Sequence, residues 1–115
     1  MLLIYGNEQD LQGAARDQCY VDSAQLAQDI QASGKYLGAS PLHPIATATS
    51  VRVRDGKRLV TDGPFAETRE QLGGYYLIDA NDLDEAIGIA ERIPGVHWGT
   101  VDIRPVMEIP VLPDE

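Results

Sequence analysis

Two stretches of this sequence are apolar without interruption: Leu2-Leu3-Ile4-Tyr5 and Tyr75-Tyr76-Leu77-Ile78. Two others alternate. Thr49 to Arg54 sets Val51 and Val53 against Arg52 and Arg54, and Thr100 to Val106 sets Val101 and Ile103 against Asp102 and Arg104. Continuous apolar runs of this length are strands covered on both faces, whereas period-two alternation marks strands with one solvated face. The chain is therefore expected to build a sheet whose first and third strands are central and whose second and fourth are edges.

Helical patterns separate these strands. Asp22 or Ser23 can cap a helix running to about Ser33, with Leu26, Ala27 and Ile30 as its apolar stripe and Gly34 as its stop. Glu8 to Gln18 is polar and alanine-rich with Gly13 inside it, a weaker helical signal. Asn81 or Asp82 caps a second helix with Asp84 and Glu85 in its first turn and Ala86, Ile87, Ala90 and Ile93 as its stripe; Pro94-Gly95 ends it. Asp55-Gly56 turns the Thr49–Arg54 strand back through Arg58 to Thr61 as a hairpin. Tyr36 to Ala39 is a short apolar stretch, and Ser40 to Pro44 reads as loop. The order is strand, helix, strand pair, strand, helix, strand: an α+β chain of βαββαβ type with a hairpin elaboration.

Two helices cover one face of such a sheet. The central strands carry large apolar groups on both faces, so the uncovered face would be an apolar patch that soluble monomers rarely tolerate. A second copy is the expected cover, in an isologous homodimer.

Composition narrows the functional classes. The 115 residues fit one domain, with a loose tail from about Pro110, and show no repeat or linker. Eighteen Asp and Glu against nine Lys and Arg leave no basic footprint for nucleic acid. Cys19 is the single cysteine, which excludes an intramolecular disulfide and fits a reducing compartment. No run is long enough to cross a bilayer or to serve as a signal peptide, so a cytoplasmic location is expected. Nucleophile elbows, phosphate-binding glycine loops and dinucleotide fingerprints are absent, and no cofactor is expected.

Turn-formers, carboxylates and aromatics crowd into Thr61 to Tyr76. Asp62-Gly63-Pro64 is a turn, Pro64 suits the start of a short helix from Phe65 to Leu72, and Gly73-Gly74 would end it. On one reading this is a capped helical turn with Phe65 in the core and solvated glutamates. On the other, Asp62, Glu67 and Glu70 converge on a pocket as a general base, a hydrogen-bonding group or a weak magnesium or calcium site. His43, between Leu42 and Pro44, is a candidate base at the pocket mouth or an exposed loop residue. Arg104 either holds an anionic ligand or guards an edge strand. Tyr75 or Tyr76 would floor the pocket. His97 precedes Trp98 and is expected to pack on its ring; neither histidine has a partner at metal-ligand spacing, so no zinc site is expected.

The run Asp62-Gly63-Pro64-Phe65-Ala66-Glu67-Thr68-Arg69-Glu70, continued by Gln71 to Ile78, resembles the signature of the DGPF proteins, a branch of the YCII-related family. Met1 to Gly6, Ala46 to Leu59 and Gly99 to Met107 resemble the same family, so the likeness covers nearly the whole chain. The resemblance implies a ferredoxin-like domain dimerising through its sheet as a dimeric α/β barrel, in a family of largely unassigned activity. The residues themselves favour a pocket for a small polar molecule with acid–base chemistry, Asp62 as base and His43 beside it, and Phe65, Glu67, Glu70, Tyr75, Tyr76 and Arg104 as ligand-binding residues. The family at large has a proposed pair, a histidine in the first helix and an aspartate near the pocket. Asp22 to Ser33 holds no histidine; Ser23 or Gln25 stands roughly there, so that pair is either lost or rebuilt with Asp62 and His43. An alternative partner implied by the resemblance is an extracytoplasmic-function sigma factor, with the chain as a non-catalytic accessory.

Overall fold

The computed structural model describes residues 1–65 and 68–110. Strand β1 (Leu2–Gly6) leads through a 3-10 turn at Glu8–Asp10 into helix α1 (Gly13–Ala32), followed by β2 (Tyr36–Pro41). The hairpin β3 (Thr49–Arg54) and β4 (Lys57–Asp62) comes next, then β5 (Gln71–Ile78), α2 (Leu83–Glu91), a 3-10 turn at Pro94–His97, and β6 (Gly99–Ile103). Four strands form one antiparallel sheet in the order β2-β5-β1-β6, compatible with a ferredoxin-like fold, and β3 and β4 form a separate two-stranded sheet. The two continuously apolar runs, β1 and β5, are the central strands, as their sequence pattern requires.

The second sheet strand differs from the expectation. The edge beside β5 is Tyr36–Pro41, and the alternating hairpin stands outside the sheet. Gly38 and Pro41 interrupt the apolar pattern that would have marked β2. Their presence is compatible with an edge, where Pro41 need donate to no outer neighbour. Gly74 makes the pairing close: a Cβ there would lie 3.0 Å from the Ser40 carbonyl oxygen and 3.3 Å from Pro41 Cα.

Among the described residues the expected short helix from Phe65 to Leu72 is also absent. Gln71 and Leu72 already belong to β5, and Gly73-Gly74 lies within that strand instead of ending a helix. The ladder explains this: Ile4 faces Gly74 while Tyr5 faces Leu72, so Gly73 is the extra residue of a bulge that carries pairing on to Gly6 and Gln71. The hairpin turn is as expected, with Asp55 at φ 53° and Gly56 at φ 73°, the left-handed pair that a two-residue turn of this kind needs.

Helix α1 is longer than the Asp22–Ser33 span, because the alanine-rich segment before it joins the same helix. Asp22 and Ser23 are therefore interior, and Asp22 accepts a 2.8 Å bond from Gln18 Nε2 instead of capping. Helix α2 begins as expected: Asp82 accepts from the Glu85 amide at 2.8 Å, and Glu85 Oε1 accepts from the Asn81 amide at 2.9 Å and pairs with Lys35 at 2.9 Å.

The core forms where the helices meet one face of the sheet. Leu26 and Ile30 of α1, Ala90 of α2 and Ile93 just after it enclose Leu2 and Tyr76, with Ile4, Ile78, Val101 and Ile103 packed around them. Ala86 is also buried, but Ile87, placed in the same stripe by sequence, is exposed. Register puts Leu3 opposite Tyr75, so Leu3, Tyr75 and Leu77 alternate onto the face away from this core. Among the described residues no helix is long and apolar enough to cross a membrane.

Candidate functional site

All the buried residues of α1, Leu26 and Ile30, lie in its C-terminal half. The N-terminal turns have no such anchor and stand away from the sheet. Between α1, along the face from Gly13 to Gln31, and the strands lies an open cleft of about 940 Å³. Arg16, Cys19 and Ser23 of α1 form one side, Tyr76 and Tyr36 the other, and Trp98 borders the end.

Tyr76 ties the two sides together. Its hydroxyl donates a 2.8 Å bond to the Ser23 carbonyl oxygen. Burial pushes the phenol above its ordinary pKa, with the Ser23 side chain opposing and the neighbours Cys19 and Tyr36 adding to the rise. Burial also raises the Cys19 thiol, again opposed by Ser23 and reinforced by Asp22. Both groups are therefore protonated at neutral pH, so neither is an anionic base or nucleophile there. They offer the cleft a hydroxyl and a thiol, beside the guanidinium of Arg16.

Of the residues singled out by sequence, Tyr75 and Tyr76 border this cleft, while His43, Asp62, Phe65, Glu70 and Arg104 do not. Asp62 ends the hairpin opposite Thr49 and is exposed. Glu70 is half-buried against the sheet, where Thr100 Oγ1 donates to its Oε1 at 2.8 Å. Phe65, expected in the core on one reading, is 72% exposed and carries the Arg52 guanidinium 5.0 Å above its ring. His43 and Arg104 are exposed, and the Arg104 backbone pairs with Met1. Glu67 lies outside the described residues. Among the described residues no three His, Cys, Asp or Glu side chains lie together as metal ligands.

Sequence reasoning missed Arg16, Cys19 and Trp98 as cleft residues, whereas Ser23, named as standing roughly where the family's first-helix histidine would, lines the cleft. The signal was the alanine-rich segment from Glu8 to Gln18: a helix there with no apolar stripe cannot pack down on the sheet, and must leave space beneath it.

Residues 1–110 match the YCII-related domain. An uncharacterized protein of Rhizobium meliloti (strain 1021) is 41% identical over 80 residues, covering 63% of this chain and 64% of that relative. The chain thus matches a little under two thirds of the relative's length.

Proposed function

The chain belongs to the YCII-related family, and from that premise we propose that it binds a small molecule in the cleft between α1 and the sheet. One observation carries the reading: a cleft of about 940 Å³ is within the usual range of small-molecule sites, roughly 300–1,000 Å³, and combines apolar walls with a few polar groups. Its lining is mostly apolar, with polar side chains that include Glu8, Gln12, Arg16, Cys19, Ser23 and Tyr76, so the ligand would combine an apolar or aromatic body with polar groups. The Asp62-to-Glu70 run places the chain in the DGPF branch on this reading. A homodimer through the sheet face bearing Leu3, Tyr75 and Leu77 belongs to it as well.

Acid–base chemistry by Asp62 or His43 is a separate part of the proposal, because neither borders the cleft in a single chain. Asp62→Asn and His43→Ala test it directly: loss of turnover with binding intact supports a catalytic role, and unchanged turnover removes it. The sigma-factor alternative draws no support from any particular surface among the described residues.

Trp98, the single tryptophan, borders the cleft and makes binding visible by its fluorescence. A panel of small aromatic and alicyclic compounds carrying acid, amide or alcohol groups would be titrated against the wild type and Ala24→Phe, which adds a ring at an α1 position that lines the cleft. Saturable changes that Ala24→Phe abolishes are expected. No response across the panel, or equal binding by the filled variant, would sink the reading.

A further inference from the structure

The β3–β4 hairpin is an arm. Among the described residues, no side chain from Val51 to Val60 makes a hydrogen bond or ion pair to the sheet and helices; the Arg54 guanidinium bonds its neighbour's carbonyl, and Arg52 stacks on Phe65. The hydrogen bonds at its base are local, Gly63 N to Ala48 O at 2.7 Å and Ser50 Oγ to Gly63 O at 2.7 Å. The radius of gyration is 16.2 Å, against about 13 Å for a compact chain of this length. A lone two-stranded hairpin is marginal in water.

Its surface is also unlike the rest of the molecule. Register places Val51 and Val53 on one face with Val60, and these three are 63%, 60% and 53% exposed. Around them stand Arg52, Arg54, Lys57 and Arg58, four of the chain's nine basic residues, against only Asp55 and Asp62. Residues 49–62 therefore carry +2 in a chain of net −9, which leaves −11 on everything else.

We propose that the hairpin is a basic, apolar-faced arm that docks on the acidic body of a second copy, reciprocally in a homodimer. The complementarity lies within the sequence itself. Two bodies of like negative charge repel, and a positive arm between them relieves that repulsion while covering its valines. The acceptor region is the margin of the partner's sheet face, where the alternation that turns the half-buried Leu3 and Leu77 away from the core also places Asp102 opposite Leu3. The inference rests on the homodimer of the preceding section and adds the arm as its second element.

The test uses the intact chain. Sedimentation velocity across protein concentration should show a dimer whose dissociation constant rises with sodium chloride, as exposed charge pairs are screened. Val51→Thr/Val53→Thr/Val60→Thr, which keeps β-forming residues, should raise that constant at least about tenfold. Arg54→Glu/Arg58→Glu should weaken the dimer likewise and abolish its salt dependence. Hydrogen exchange on the wild type decides the matter even if a variant misfolds: amides from Val51 to Val60 should be slower above the dimer midpoint than below it. A wild-type dimer with unprotected hairpin amides, or arm variants that dimerise like wild type, overturns the arm and leaves the sheet-face dimer standing. A wild type monomeric at every concentration overturns both.

Discussion

The Tyr76 hydroxyl bonds the carbonyl oxygen of Ser23, 53 residues earlier in the chain, at 2.8 Å. This is where a central strand meets the middle of α1, next to the last turns that touch the core. The bond crosses the cleft, whose α1 lining runs past Ser23 from Gly13 to Gln31. Tyr76→Phe keeps the ring in the core and removes only this bond. It should cost about 1 kcal/mol, a fall in melting temperature of about 4 °C for a domain of this size. Thermal unfolding by circular dichroism measures it, and a melting temperature unchanged within error would mean that the bond does not hold α1.

Alkaline pH should act through the same residue. Burial raises the Tyr76 phenol above its ordinary value, so the folded state holds its proton more tightly than the unfolded chain. Stability from this group is full below the unfolded pKa, about 10, and is lost as pH rises from there through the folded value. Cys19, raised in the same direction, begins to contribute its loss from its lower unfolded pKa. Denaturant midpoints should therefore fall above about pH 9. Tyr76→Phe should flatten the part of that fall above pH 10, and an equal slope in both proteins would contradict the assignment.

Acid should act through the start of α2. Lys35, bonded to Glu85, holds its carboxyl below the usual range, helped by the Asn81 amide. A lowered folded pKa stabilises above the unfolded value and is lost as pH falls through the folded one. Stability of the wild type should decline below about pH 4, and Glu85→Gln should lose this part of the dependence. Asp82→Ala removes the side chain that accepts the Glu85 amide and should cost about 1 kcal/mol at neutral pH. An acid limb identical in Glu85→Gln would exclude this carboxyl.

How far the sequence foretold these features depended on whether the signal was local. The central strands announced themselves because Leu2–Tyr5 and Tyr75–Ile78 are apolar at every position, which only a doubly covered strand requires. The Asp55-Gly56 turn was equally readable, since the conformation it needs is set within two residues. The position of the hairpin was not, because alternation says that one face is partnered and never by what. Strand β2 was hidden by Gly38 and Pro41, whose merit lies in close approach to Gly74 and not in any pattern of their own. The cleft depends on Tyr76 reaching Ser23, a contact between distant parts of the chain. The Asp62-to-Glu70 run was read as one unit, yet Asp62 ends the hairpin and Glu70 leans on the main sheet at Thr100.

Two glycines in the sheet should differ sharply on gaining a methyl group. At Gly99 a Cβ would collide with the Tyr5 carbonyl oxygen and stand 2.9 Å from Gly6 Cα. Both belong to a central strand held on two sides, by β5 and by β6 itself, so neither can retreat without breaking a ladder. At Gly74 the nearest atoms are the Ser40 carbonyl oxygen at 3.0 Å and Pro41 Cα at 3.3 Å. These lie at the end of edge strand β2, which can shift by a few tenths of an ångström into solvent. Gly99→Ala is therefore expected to cost about 3 kcal/mol or more and Gly74→Ala about 1 kcal/mol. Urea denaturation of the two single variants gives the comparison. If Gly74→Ala proved the more damaging, the β1–β6 pairing at Gly99 would have to be looser than its register implies.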